Sequence, residues 1–271
     1  MAGGTTRTRV MGILNVTEDS FSDGGVHLAD PVAHAERMRA EGADIIDVGG
    51  ESTRPGARRV DPALEAARVL PVVEELSGRG MQVSVDTMRA EVAAAAAARG
   101  ARLINDVSGG RADPEMFAVM ADAGVDVCLM HWAAEQFGDA AGSAHTPVTV
   151  VDDVRRGLES SVEAALAAGV AEERIILDPG LGFAKSAECN WELLRNLDRL
   201  PDFPLLIGAS RKRFLAAVRA ERDLEPQPDI ATAALSALLG AAGVWGVRVH
   251  DVAATVDALT VAAHLQGGQR G

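Results

Sequence analysis

Eight times along the chain, a short apolar run rich in Val, Ile and Leu gives way to a longer segment with apolar residues at three- and four-residue spacing. The runs at 10–15, 44–49, 82–87, 102–107, 126–131, 174–179, 204–209 and 245–250 read as strands. The segments 31–41, 61–78, 89–99, 114–123, 152–168, 190–199, 230–242 and 252–265 read as helices. Gly42, Gly80, Gly100, Gly124, Gly169 and Gly243 each stand where a helix should stop before the next strand. Eight βα units within 271 residues predict an α/β protein whose parallel sheet closes into a single-domain TIM (β/α)8 barrel. An open doubly wound sheet is the runner-up. It calls for G-x-G-x-x-G after the first strand, which is absent. The expected domain spans 9–266, between a flexible tail at 1–8 and another at 267–271.

A formal net charge of −13 argues against nucleic acid as a partner. The start, MAGGTTRTR, lacks the apolar core of a signal peptide, and no run has the length and apolarity of a membrane span. Two distant cysteines, Cys128 and Cys189, without CxxC or zinc spacing, fit a reducing compartment, so a cytoplasmic protein is expected. Cys128 reads as a small core residue. Of 26 lysines and arginines only Lys185 and Lys212 are lysine. Each is a candidate for a place that Arg's planar fork does not fit.

In such a barrel the chemistry lies at the carboxyl ends of the strands. The expected strands bring there Asn15, Asp47, Asp86, Asn105 with Asp106, Met130 with His131, Asp178, Gly208 with Ser210, and Arg248 with His250. Any one of these aspartates could be a helix cap. Asn105, inside the apolar run RLINDV, is harder to explain that way, because a buried polar side chain needs partners. Strands three, four and six supply carboxylates and an amide, expected on one side of the mouth. They suit a flat ligand with several N–H donors, since a carboxylate accepts two parallel bonds from a guanidine-like edge. Arg54, Lys212, Arg248 and His250 suit an anion such as phosphate. Absence of Tyr excludes tyrosine acid–base chemistry.

In order along the chain, MGILNVTEDSFSDGG, IDVGGESTRPGA, SVDT, INDVSGG, DPGLGF, IGASRKRFL and GVRVHDV resemble the dihydropteroate synthases, over residues 11–252. The resemblance implies condensation of 6-hydroxymethyl-7,8-dihydropterin diphosphate with para-aminobenzoate to give 7,8-dihydropteroate and diphosphate. It implies a Mg2+ ion and a homodimer too. By motif, Asp86, Asn105, Asp178, Lys212, Met130, Phe183 and Gly208 correspond to the pterin site. Asn15 corresponds to the metal ligand beside the diphosphate, and Arg54, Arg248 and His250 to the diphosphate anchors. Phe21, Thr53, Pro55, Ser210 and Lys212 fall at para-aminobenzoate contacts, and Asp23 where a cationic intermediate is stabilised. Asp23, Lys212, Arg248 and His250 are the expected catalytic set. The same pattern implies inhibition by sulfonamides in competition with para-aminobenzoate. His131 reads chiefly as a rim residue that positions its neighbours, Lys185 reads as a rim-loop residue without an assigned role, and Trp132 and Trp245 read as packing at the barrel ends. Two alternatives are a pterin-binding methyltransferase barrel and a non-catalytic pterin-binding paralogue.

Overall fold

The strands alternate inward and outward with a period of two, and that alternation builds the molecule. A computed structural model describes residues 7–16, 30–51, 59–133 and 144–267. The strands are β1 (Arg9–Asn15), β2 (Ile45–Gly49), β3 (Val83–Asp86), β4 (Leu103–Asp106), β5 (Asp126–Met130), β6 (Ile175–Asp178), β7 (Leu206–Ile207) and β8 (Gly246–Val249). All neighbours pair in parallel, in the order β6-β5-β4-β3-β2-β1-β8-β7. A parallel bridge between Leu177 and Leu205, with Leu177 N donating to Pro204 O at 2.9 Å, brings β6 to β7. The sheet thereby forms the expected barrel.

The helices are α1 (Pro31–Ala40), α2 (Pro62–Gly78), α3 (Ala90–Ala98), α4 (Met116–Ala123), α5 (Val150–Ala167), α6 (Ala187–Arg195), α7 (Arg213–Ala216), α8 (Pro228–Ala241) and α9 (Val252–Leu265). The glycines expected to stop helices, Gly42, Gly80, Gly100, Gly124, Gly169 and Gly243, all have positive φ, which L side chains avoid. Helix α6 begins earlier than its periodicity indicates, because the Ser186 side chain accepts from Cys189 N at 3.2 Å and caps it. The sequence 211–213 opens a helix of only four residues, continued as a 3-10 turn through Arg222.

Outward residues such as Leu14, Val48, Val85, Ile104, Leu129 and Leu177 pack against the helices in the main core. Inside the barrel, Met11, Ile45, Leu103, Cys128, Ile176 and Leu206 form a separate apolar layer, with Trp245 against it. This layer plugs the amino-terminal half of the interior, so the barrel is a packed core with a mouth at one end.

Candidate active site

Two residues beyond each member of that plug, the same strand faces inward again. Ile45 is followed by Asp47, Leu103 by Asn105, Cys128 by Met130, Ile176 by Asp178 and Leu206 by Gly208. Asp86 and Arg248 reach the same level two residues after Ser84 and Gly246. The polar residues that interrupt apolar runs are therefore one layer of a single interior. Asp47, Asp86, Asn105 and Asp178 are all buried there.

Arg248 joins the strands of this layer. Its Nε donates to Asp47 Oδ2 at 2.6 Å and an Nη to Asp86 Oδ2 at 2.7 Å. Asn105 Nδ2 donates to the same Asp47 oxygen at 3.1 Å, so the amide keeps its own oxygen for another donor. The expected division of the mouth into an acidic and a cationic side does not hold here. Only β1 separates β8 from β2, and the long Arg248 side chain crosses to the carboxylates. Burial opposes the charge of Arg248, but Asp47 and Asp86 outweigh it and hold its pKa above the ordinary value. Burial pushes the Asp86 carboxyl upward, and Arg248 opposes that rise. Asn15 ends β1 beside this group: a methyl group at Gly49 would lie 3.8 Å from its Oδ1 and 3.6 Å from Asp86 Cβ.

Across the mouth, Asp178 Oδ1 accepts from Gly180 N at 2.7 Å. A methyl group at Gly208 would lie 3.3 Å from Asp178 Oδ2 and 4.0 Å from Lys212 Nζ, so the glycine keeps this corner open. Lys212 Nζ stands 4.6 Å from the centre of the Phe183 ring and donates to Leu181 O. Burial lowers the Lys212 pKa to about 8, with Asp178 opposing the shift. Met130, Phe183, Val107, Met88 and Trp132 make an apolar wall beside these groups. Ser210 Oγ lies 2.9 Å from His250 Nδ1 and accepts from His250 N at 3.2 Å, tying the segment after β7 to the one after β8.

Some rim residues have structural duties. Asp106 faces outward and accepts from Ser108 N at 2.7 Å and Gly110 N at 2.8 Å, closing a turn. Arg211 pairs with Asp229 at 2.7 Å. Asp23, Phe21, Thr53, Arg54 and Pro55 lie outside the described residues. Three residues carry more than the sequence reading gave them. Asp47 has two donors on one oxygen, Lys185 is buried, and Glu65 accepts from Thr87 and Arg89 behind Asp86. The signal for Asp47 was its inward register with Asn105, which strand ends counted singly do not reveal.

The family described as pterin binding enzyme matches residues 11–250. A dihydropteroate synthase of Mycobacterium leprae is 52% identical over 96% of this chain and 94% of its own. The structure of Xanthomonas albilineans dihydropteroate synthase with 4-aminobenzoic acid superposes with a TM-score of 0.86 at 44% identity, covering 98% of this chain and 95% of that one. That of Burkholderia cenocepacia dihydropteroate synthase complexed with 7,8-dihydropteroate gives 0.86 at 41%, covering 96% and 92%.

Proposed function

This chain belongs to the dihydropteroate synthase family of pterin-binding enzymes, and we propose that it joins para-aminobenzoate to 6-hydroxymethyl-7,8-dihydropterin diphosphate, releasing diphosphate and 7,8-dihydropteroate for folate synthesis. One observation carries the reading. Asp86, Asn105, Asp178, Lys212 and Arg248 share one barrel mouth with the apolar wall of Met130 and Phe183.

The Asp178 carboxylate suits the paired N–H groups of the aminopyrimidinone edge, and Asn105 and Asp86 offer further acceptors to the ring. Lys212 supplies a point charge for a ring heteroatom. Arg248 has five N–H groups and uses two on carboxylates, which leaves donors for the diphosphate. His250, tied to Ser210 through Nδ1, is the further diphosphate anchor that the family resemblance implies. Breaking the carbon–oxygen bond before the weak aromatic amine attacks leaves a delocalised pterin cation. The leaving charge is then held by fixed donors. By family resemblance Arg54 joins these donors, Asp23 faces the cation, and Phe21, Thr53, Pro55 and Ser210 receive para-aminobenzoate.

Among the described residues no group of three His, Cys, Asp or Glu side chains is arranged to hold a metal. The neutral oxygen of Asn15 beside Asp86 still fits Mg2+, which accepts one or two protein oxygens when substrate phosphates complete its shell. Bound there with the diphosphate, the ion would neutralise leaving-group charge. Ile230 and Leu238 on α8 and Val261 and Leu265 on α9 are exposed on two helices packed together, which supports the homodimer. No helix among the described residues is long and apolar enough to cross a membrane, and a cytoplasmic enzyme formed by one barrel domain over 9–266 is the corresponding reading.

The test is diphosphate release assayed with each substrate alone and with both. Dihydropteroate forming in step with diphosphate, and only with both, is expected, with a sulfonamide competing against para-aminobenzoate. Pterin binding without diphosphate release points instead to the non-catalytic or methyltransferase reading.

A further inference from the structure

Lys185, the second of the two lysines, lies behind the pterin-facing surface and is 7% exposed. Its Nζ donates to Gly180 O at 2.9 Å, Phe183 O at 3.2 Å and His131 O at 3.3 Å, and stands 3.3 Å from His131 Nδ1. No carboxylate is among these partners. A buried ammonium surrounded by neutral acceptors costs free energy that packing alone does not recover.

The surroundings are closely fitted. A methyl group at Gly180 would lie 1.9 Å from His131 O, and one at Gly157 on α5 would lie 2.4 Å from His131 Cδ2. The His131 ring is thus pressed against a helix on one side, with Nδ1 towards the ammonium. An ammonium has no lone pair, so Nδ1 must offer its own and the ring proton belongs on Nε2. Burial, then the charge of Lys185, push the His131 pKa down to about 2, which keeps the ring in this neutral form.

Everything that this ammonium ties down leads back to the mouth. Gly180 N holds the Asp178 carboxylate at 2.7 Å, Leu181 O accepts from Lys212, and the Phe183 ring lies 4.6 Å from the Lys212 ammonium. Residues 180–183 are one short turn, and Lys185 gathers the carbonyls at both its ends.

We propose that Lys185, with neutral His131 as its partner, is a positioning residue that sets the 180–183 turn and through it the Asp178, Phe183 and Lys212 groups that grip the pterin. The inference rests on the pterin occupying that side of the mouth. Of the described residues implied at para-aminobenzoate contacts, Lys212 is tied to this turn and Ser210 to His250, so Lys185 bears chiefly on pterin affinity. An arginine would not serve, because its planar fork cannot converge on carbonyls arranged around a point.

Full-length wild type, Lys185→Met and Lys185→Arg are compared by steady-state kinetics with both substrates and by thermal unfolding. In both variants KM for the pterin diphosphate should rise about tenfold or more, with KM for para-aminobenzoate within about twofold of wild type. Unchanged pterin KM in a folded variant overturns the proposal. So does an equal rise in both KM values, which marks loss of the fold alone. If neither variant folds, 15N NMR of wild-type His131 decides. At about pH 6, where the Lys185 ammonium persists, a non-protonated Nδ1 and a protonated Nε2 support the pair, and Nδ1–H or imidazolium refutes it. Wild type that forms no dihydropteroate would refute the assigned reaction, while the NMR result would still judge the Lys185–His131 pair.

Discussion

On the β8–β1–β2–β3 side of the mouth Arg248 gives two N–H groups to carboxylates, whereas on the β5–β6–β7 side Lys212 and Lys185 give theirs to carbonyl oxygens. Both sides hold cations that are largely withdrawn from solvent, and the difference in partner decides what that does to them. Asp47 and Asp86 overcome the desolvation of Arg248 and hold its pKa up. Carbonyls cannot do as much, and burial lowers Lys212 to about 8 and Lys185 to about 7. One side therefore sets a single fixed cation against two carboxylates, of which burial pushes Asp86 up to about 7. The other carries cations whose charge depends on pH and on what binds. A substrate with an electron-rich ring and an anionic tail completes the lysine side, and borrows spare donors from the arginine side.

The sharpest way to break this comparison is Arg248→Leu. The substitution leaves Asp47 and Asp86 buried without their cation. It should cost about 3–5 kcal/mol in stability, the usual range for breaking a buried pair. Loss of fixed leaving-group donors should lower kcat/KM by about a thousandfold. Urea unfolding at several pH values separates the two effects. Carboxylates without a partner take up protons more readily, so the stability of the variant should recover as pH falls. Wild-type stability in Arg248→Leu would mean that Arg248 is not what keeps the carboxylates inside.

Lys212 sharpens the comparison from the other side. Its folded pKa is about 8 against an ordinary 10.5, so the ammonium is lost as pH rises past about 8. The unfolded chain keeps that proton to higher pH. Between the two values the contribution of Lys212 to stability therefore increases with pH, while pterin affinity declines. Titration with 7,8-dihydropteroate at about pH 7 and about pH 9, beside unfolding at the same two values, should show these opposite trends. Trends of the same sign would mean that Lys212 does not hold the ligand through its charge. Lys212→Arg should abolish the pH effect yet lower kcat/KM by about a hundredfold. A methyl group at Gly182 would already lie 2.9 Å from Lys212 Cδ, so the channel admits a narrow stem and has no width for a guanidinium.

Much of this was legible in the chain. Period-two runs fixed which strand residues face inward, and Asn105 in RLINDV announced a polar layer before any contact was known. Glycine stops were legible because positive φ leaves little else. The crossing of Arg248 to Asp47 and Asp86 was not, because they are 201 and 162 residues away and only barrel closure brings them within reach. Lys185 was noticed for its rarity alone. Its function depends on backbone carbonyls, which leave no mark in a sequence. β7 runs Leu206–Ile207 against the expected 204–209, and at its start Pro204 has no N–H to give to a ladder. Phe21, Asp23, Thr53, Arg54 and Pro55 rest on motif resemblance, outside the described residues.

The smallest expected effect tests the seam between the two sides, where Ser210 meets His250. Ser210 Oγ accepts from His250 N, and where its own hydrogen goes to Nδ1 the ring proton stands on Nε2. Ser210→Ala removes that bias and one hydrogen bond worth about 1 kcal/mol, so kcat/KM should fall about fivefold. The distribution of the loss carries the information. If Ser210 acts through His250, kcat should take the loss and 15N NMR should show both His250 tautomers. If Ser210 meets para-aminobenzoate itself, as the family pattern implies, KM for para-aminobenzoate should rise and the tautomer should hold. The geometry favours the first result, because the hydroxyl already contacts both the imidazole Nδ1 and the backbone N–H of His250. A raised KM with an unchanged ring would move Ser210 from the anion-binding machinery to the amine site, and would leave His250 oriented by its own strand.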